Sequence, residues 1–146
     1  MKPLFLSLPM TIMNMVFMPM IFIIMVFMTT DLHAAELSAP VRKLNNTQIT
    51  YQYTSGRSYH VKFEEAGVSY RYLTGSKPEK WWGPFPYKAF EVDAKVFMAS
   101  WFEAGYGDYV TLLINFNNHL LYGSAIIEGK NVHFHGAKII DVKQNP

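Results

Sequence analysis

No cysteine occurs anywhere in the 146 residues. That absence excludes a disulfide framework, a thiolate nucleophile, a cysteine-ligated metal and a lipidated cysteine. Any domain this chain forms must therefore be held by its core. Charge is also scarce: 16% of residues are charged against 50% hydrophobic, with a formal net charge of +2. No Lys/Arg cluster exceeds two residues, so the footprint of a nucleic-acid binder is missing. After Ala35 there is no run with helical period and no internal repeat, which argues against helix bundles and solenoids.

The lack of charge is most pronounced at the N-terminus. Between Pro3 and Thr30 no residue is charged, Lys2 is the lone basic residue upstream, and Met15 to Met28 is a dense apolar run. A signal peptide has a core of about 7 to 15 apolar residues followed by a small-residue junction. Leu32-His33-Ala34-Ala35 supplies that junction, with cleavage expected after Ala34. The alternative is a retained anchor, since the uncharged stretch is long enough to span a bilayer. With Lys2 inside, both outcomes place the C-terminal domain beyond the cytoplasmic membrane, periplasmic or secreted. The expected organisation is residues 1–34 as signal peptide or anchor, 35–46 as linker, and 47–146 as one β domain.

From Thr47 onward the apolar residues alternate, which is the period of strands. Ile49, Tyr51 and Tyr53 share one face of Thr47 to Tyr53, and Thr54-Ser55-Gly56 turns the chain into Ser58 to Phe63, a hairpin. Strands are expected at Val68 to Leu73, Phe85 to Val92, Lys95 to Glu103, Asp108 to Phe116 and His119 to Ile127. A last stretch, Asn131 to Val142, is expected to break at Gly136. About eight antiparallel strands joined by short turns fit an all-β, up-and-down barrel of the lipocalin or calycin type. Closure removes exposed edges, and eight strands leave room for one small ligand.

Glu103 has the parity of Phe97, Ala99 and Trp101, an inward-looking face. A carboxyl there has a raised pKa and can handle protons near neutral pH. The plainer alternative is a strand-end glutamate reaching solvent beside Ala104-Gly105. Tyr51 and Tyr53 would point two phenols into the same space, as donors to a ligand or as amphipathic core residues. Arg71 could supply a fixed charge, but its parity is opposite to Val68 and Tyr70, so only a bulge would turn it inward. Trp81, Trp82, Phe85 and Tyr87 in the Pro-rich stretch Ser76 to Tyr87 suggest an aromatic lid or, more simply, a plug over the barrel rim. His133 and His135 share a strand face, but no third metal ligand is evident, so no metal site is expected. Asn45-Asn46-Thr47 is a glycosylation sequon.

The string Tyr51-Gln52-Tyr53, Tyr70-Arg71-Tyr72 followed by Gly75, and Ser100-Trp101-Phe102-Glu103-Ala104-Gly105 resembles the phenolic acid decarboxylases in order and spacing. That family is similar to a broader MoaF-like group (molybdenum cofactor biosynthesis protein F), and both have calycin-type barrels. The resemblance runs from about Thr47 to Ile127. It implies a cavity in which Tyr51, Tyr53, Arg71 and Glu103 act on 4-hydroxycinnamates without a cofactor, with Trp101 beside them as a binding residue. Three features depart from the decarboxylases: the chain ends soon after the barrel, it carries the export profile, and Val132 to Val142 looks more MoaF-like. The leading expectation is therefore a MoaF-like barrel that binds a small aromatic or amphipathic molecule. An active decarboxylase is the second, and an envelope interaction module using the Trp-rich loop is the third. Expected partners are that small molecule, no nucleic acid, the membrane only through an uncleaved N-terminal segment, and, as an open option, a second copy in a homodimer.

Overall fold

The computed structural model describes residues 37–75 and 77–144. The expected signal segment and its junction lie outside the described residues. Nine antiparallel strands follow one another: β1 Thr47–Tyr53, β2 Ser58–Glu64, β3 Gly67–Tyr72, β4 Trp81–Phe85, β5 Tyr87–Asp93, β6 Val96–Glu103, β7 Asp108–Asn115, β8 Leu120–Ile127 and β9 Asn131–Gln144. They form one sheet in the order β4-β3-β2-β1-β9-β8-β7-β6-β5. The last strand thus pairs with the first, and the sheet curls until the edge strand β4 comes against β6, beside the other edge strand, β5. The result is the expected all-β antiparallel barrel, nearly closed.

Two boundaries differ from the sequence reading. The Pro- and Trp-rich stretch is not a bare connection, because Trp81–Phe85 pairs with β3 as an edge strand. An edge strand tolerates proline because its outer N–H groups have no ladder partner to lose, and Pro86 then separates β4 from β5. At the other end, β9 runs unbroken through Gly136, which pairs with Tyr122 of β8. A small irregularity falls instead between Thr50 and Tyr51 in the β1–β9 ladder.

The interior is unevenly filled. Ile49, Val61, Phe63, Val68, Leu112, Ile114 and Leu121 are all fully buried. The register aligns Ile49 with Val61, Phe63 with Val68, and Phe97 with Ile114 and Leu121, so these layers close one end of the barrel. Residues Val41 to Asn46 seal it. The Val41 amide donates to the Ala89 carbonyl (2.8 Å), the Arg42 guanidinium lies over the Tyr87 ring at 4.6 Å, and Tyr87 donates its hydroxyl to Asn45 Oδ1 at 2.6 Å. Leu44 from this stretch is wholly inside the core. Toward the other end, small residues at Gly123 and Ala125 leave space between the walls. The cavity lies there.

Candidate functional site

Parity and register build the site. Strand β1 turns Tyr51 and Tyr53 inward, β2 adds Tyr59 opposite Tyr51, and β3 adds Tyr72 opposite Tyr59 with Tyr70 two residues earlier. Strand β6 contributes Trp101 and Glu103, β7 Asp108 and Val110, and β9 His133 and His135. Together they line a cavity of about 500 Å³ that is open to solvent, within the usual range of roughly 300–1,000 Å³ for small-molecule sites. The tyrosines form a continuous aromatic wall. Tyr51 stacks on Tyr59 (centroids 5.5 Å apart, planes 11° apart), and Tyr53 meets both edge-on at 5.3 and 5.4 Å. Tyr70 and Tyr72 continue the wall from Tyr59.

Glu103 lies on the inward face with Phe97, Ala99 and Trp101 and is 2% exposed. Its Oε2 accepts from the Tyr70 hydroxyl at 2.9 Å, and its Oε1 accepts from Trp101 Nε1–H at 3.0 Å. Burial pushes its carboxyl above the ordinary value of 4.5, and the two hydrogen bonds only partly offset this. The phenols respond to the same desolvation. Tyr59 is pushed up to about 12. Tyr70 rises well above the ordinary phenol range, first by burial and then by the neighbouring Glu103 charge. Tyr51, Tyr53 and Tyr72 are also raised, chiefly by burial. The cavity therefore presents neutral phenols around the buried Glu103 carboxyl, with Asp108 as a second carboxyl in its lining.

Four of the five residues singled out from sequence, Tyr51, Tyr53, Trp101 and Glu103, share this cavity. Arg71 does not. The β2–β3 ladder is regular, pairing His60 with Arg71 and Val61 with Tyr70, so no bulge reverses its parity. Its side chain lies on the opposite face of the sheet from Tyr70, with the guanidinium 5.1 Å from the centre of the Trp81 ring. Arg71 is accordingly withdrawn from the site. Arg57, which the sequence reading passed over, lines the cavity instead. It follows the Thr54-Ser55-Gly56 turn, where the left-handed Gly56 (φ 85°) brings the chain back. Arg57 counters part of the rise in the Tyr59 and Tyr72 phenols. The one available signal was its place directly after the hairpin glycine, at the barrel rim.

The remaining candidates are distributed as follows. Trp82 meets Tyr72 and Tyr106 edge-on, Trp81 lies on the outer face, and Phe85 is buried against Tyr70, so the aromatic stretch is an edge strand and rim rather than a free lid. His133 and His135 have ring centroids 5.9 Å apart beside Tyr53. Among the described residues, no group of three or more His, Asp or Glu converges as a metal site would require. Gly123 was also missed. A Cβ on it would collide with the Tyr53 hydroxyl, so its bareness is what lets that phenol stand in the cavity.

No protein-family model and no curated protein matches the sequence. Among solved structures, the chain is similar to a Burkholderia vietnamiensis protein described as a candidate beta-lactamase. The TM-score is 0.58 and the identity 16%, covering 66% of this chain and 93% of that one. At that identity the likeness concerns the fold, and it agrees with a nearly closed, all-β antiparallel barrel.

Proposed function

We propose that this barrel is a MoaF-like binding protein that takes one small aromatic or amphipathic molecule into its tyrosine-lined cavity. A single observation carries the reading. A solvent-open space of about 500 Å³ is walled by five tyrosines and Trp101, and it holds a buried Glu103. Apolar walls with a few converging polar groups are the usual make-up of a small-molecule site.

A second reading, a cofactor-free phenolic acid decarboxylase, is favoured by one feature. Tyr51, Tyr53 and Glu103 line the same cavity, with Arg57 there in place of Arg71. Loss of CO2 from a 4-hydroxycinnamate requires the phenol to give up its proton and the vinyl carbon to receive one. Glu103, held above its ordinary pKa, suits the second step. Incubating the full chain with p-coumarate and ferulate separates the readings. Saturable quenching of intrinsic fluorescence without vinylphenol is the outcome expected for the binding protein. Vinylphenol formation that disappears in Glu103→Ala would establish the enzyme, and the absence of both signals would remove the decarboxylase reading and hydroxycinnamates as ligands.

Export belongs to the same proposal, resting on Lys2, the uncharged stretch and the Ala34-Ala35 junction. N-terminal sequencing of the processed protein should begin at Ala35. Recovery of the intact chain from the soluble cytoplasm would contradict it.

A further inference from the structure

We propose that the part of the cavity beside Glu103 is a subsite for an organic ammonium group, such as the trimethylammonium head of an amphipathic molecule, with Glu103 as its counter-ion. The proposal rests on the reading of the cavity as a small-molecule site and names the class of ligand.

Glu103 is the starting point. Both of its oxygens are held by neutral donors, Tyr70 and Trp101. The ion pairs among the described residues are Lys43 with Glu91 and Lys62 with Glu64, and neither reaches Glu103. Arg57 lines the same cavity from the barrel rim, directly after the Thr54-Ser55-Gly56 turn, and it acts on the Tyr59 and Tyr72 phenols. Among the described residues an ionised Glu103 has no ion-pair partner, which is costly for a buried charge. A ligand that brings a cation removes that deficit.

The walls decide which cation. Tyr51 and Tyr59 are stacked with nearly parallel planes, Tyr70 is inclined to Tyr59 at 54°, and Trp101 lies beside Glu103. Aromatic faces of this kind attract diffuse, weakly hydrated cations. A small divalent ion would need more charged oxygen ligands than Glu103 and Asp108 offer, and among the described residues no group of three or more His, Asp or Glu converges. An anion fares worse there, because it faces the Glu103 carboxyl and because the Tyr70 hydroxyl and the Trp101 indole already donate to Glu103. Anionic or hydrogen-bonding parts of the same ligand would lie toward Arg57.

The test uses the full chain and three probes: choline, its neutral carbon isostere dimethylbutanol, and p-coumarate, each titrated against intrinsic fluorescence. Choline should bind about tenfold or more tightly than dimethylbutanol, and Glu103→Gln should reduce that ratio several-fold. Equal or tighter binding of dimethylbutanol would overturn the ammonium subsite and leave the cavity reading standing, as would binding of p-coumarate alone. A choline preference unchanged in Glu103→Gln would overturn Glu103 as the counter-ion. Failure of all three probes to bind would remove the cavity reading itself.

Discussion

Glu103 is a buried carboxyl bonded to Tyr70 and Trp101, and its protonation has a consequence for stability. Because burial raises its pKa above 4.5 in the folded protein, the folded state holds the proton more tightly than the unfolded chain does. Its contribution is then most favourable below the ordinary carboxylate range. It declines as pH rises from about 4.5 to the raised value, and stays at that lower level above it. Urea midpoints of wild type and Glu103→Gln across this range should diverge, with the variant lacking this decline and gaining relative stability at neutral pH. Glu103→Leu should behave differently, since it leaves the Trp101 indole and the Tyr70 hydroxyl without their acceptor, at a cost of about 1–3 kcal/mol for each buried group left unpaired. The two arginines provide the matching contrast. Arg57→Gln should weaken binding of p-coumarate by about tenfold through loss of a charge at the mouth, while Arg71→Gln, on the outer face over Trp81, should leave it unchanged in the same fluorescence titration.

At the scale of elements, the strands were legible and the pieces that shape the ends were not. Alternation located eight of the nine strands because each has one face in the core. β4 escaped because its proline-rich sequence WWGPF has little alternation and its pairing is confined to one side. Leu44 escaped because it is a single apolar residue among polar neighbours, with no period to reveal it. Its burial makes a clear prediction. Leu44→Ala should cost about 2–5 kcal/mol in chemical denaturation, whereas a loss under half a kcal/mol would mean that Val41 to Asn46 does not seal the barrel. Gly123→Ala tests the other end. The new methyl must displace the Tyr53 hydroxyl, so the variant should lose probe affinity and about 1–3 kcal/mol of stability to overpacking.

Across the whole molecule, which face of the sheet is inside was harder to read than where the strands lie. Strand β6 carries Phe97 and Trp101 on one side and Met98 and Phe102 on the other, and β7 and β8 repeat this with Tyr109, Leu113, Tyr122 and Ile126 on the outside. The cross-strand register places Phe102, Tyr109, Ile126 and Val132 in one exposed row. With apolar residues on both faces, parity alone says only which residues travel together. In β1 to β3 the outer face is more polar, with Gln48, Thr50, His60, Lys62 and Arg71, so parity there also separates inside from outside. That is why Arg71 is outward by its own sequence context, and why a family likeness was a poorer guide to it than the pleat.

The central claim is that the tyrosine-walled cavity is a ligand site, and Trp101 offers a direct reporter, since its indole N–H is bonded to Glu103 inside the cavity. The decisive measurement is the NMR resonance of that indole proton in the full chain, titrated separately with choline and with p-coumarate. A saturable shift at Trp101 with at least one probe, while the indole of outward-facing Trp81 stays in place, is the predicted result. No movement at Trp101 with either probe, or equal movement at Trp81 and Trp101, would contradict the assignment of the cavity as the site.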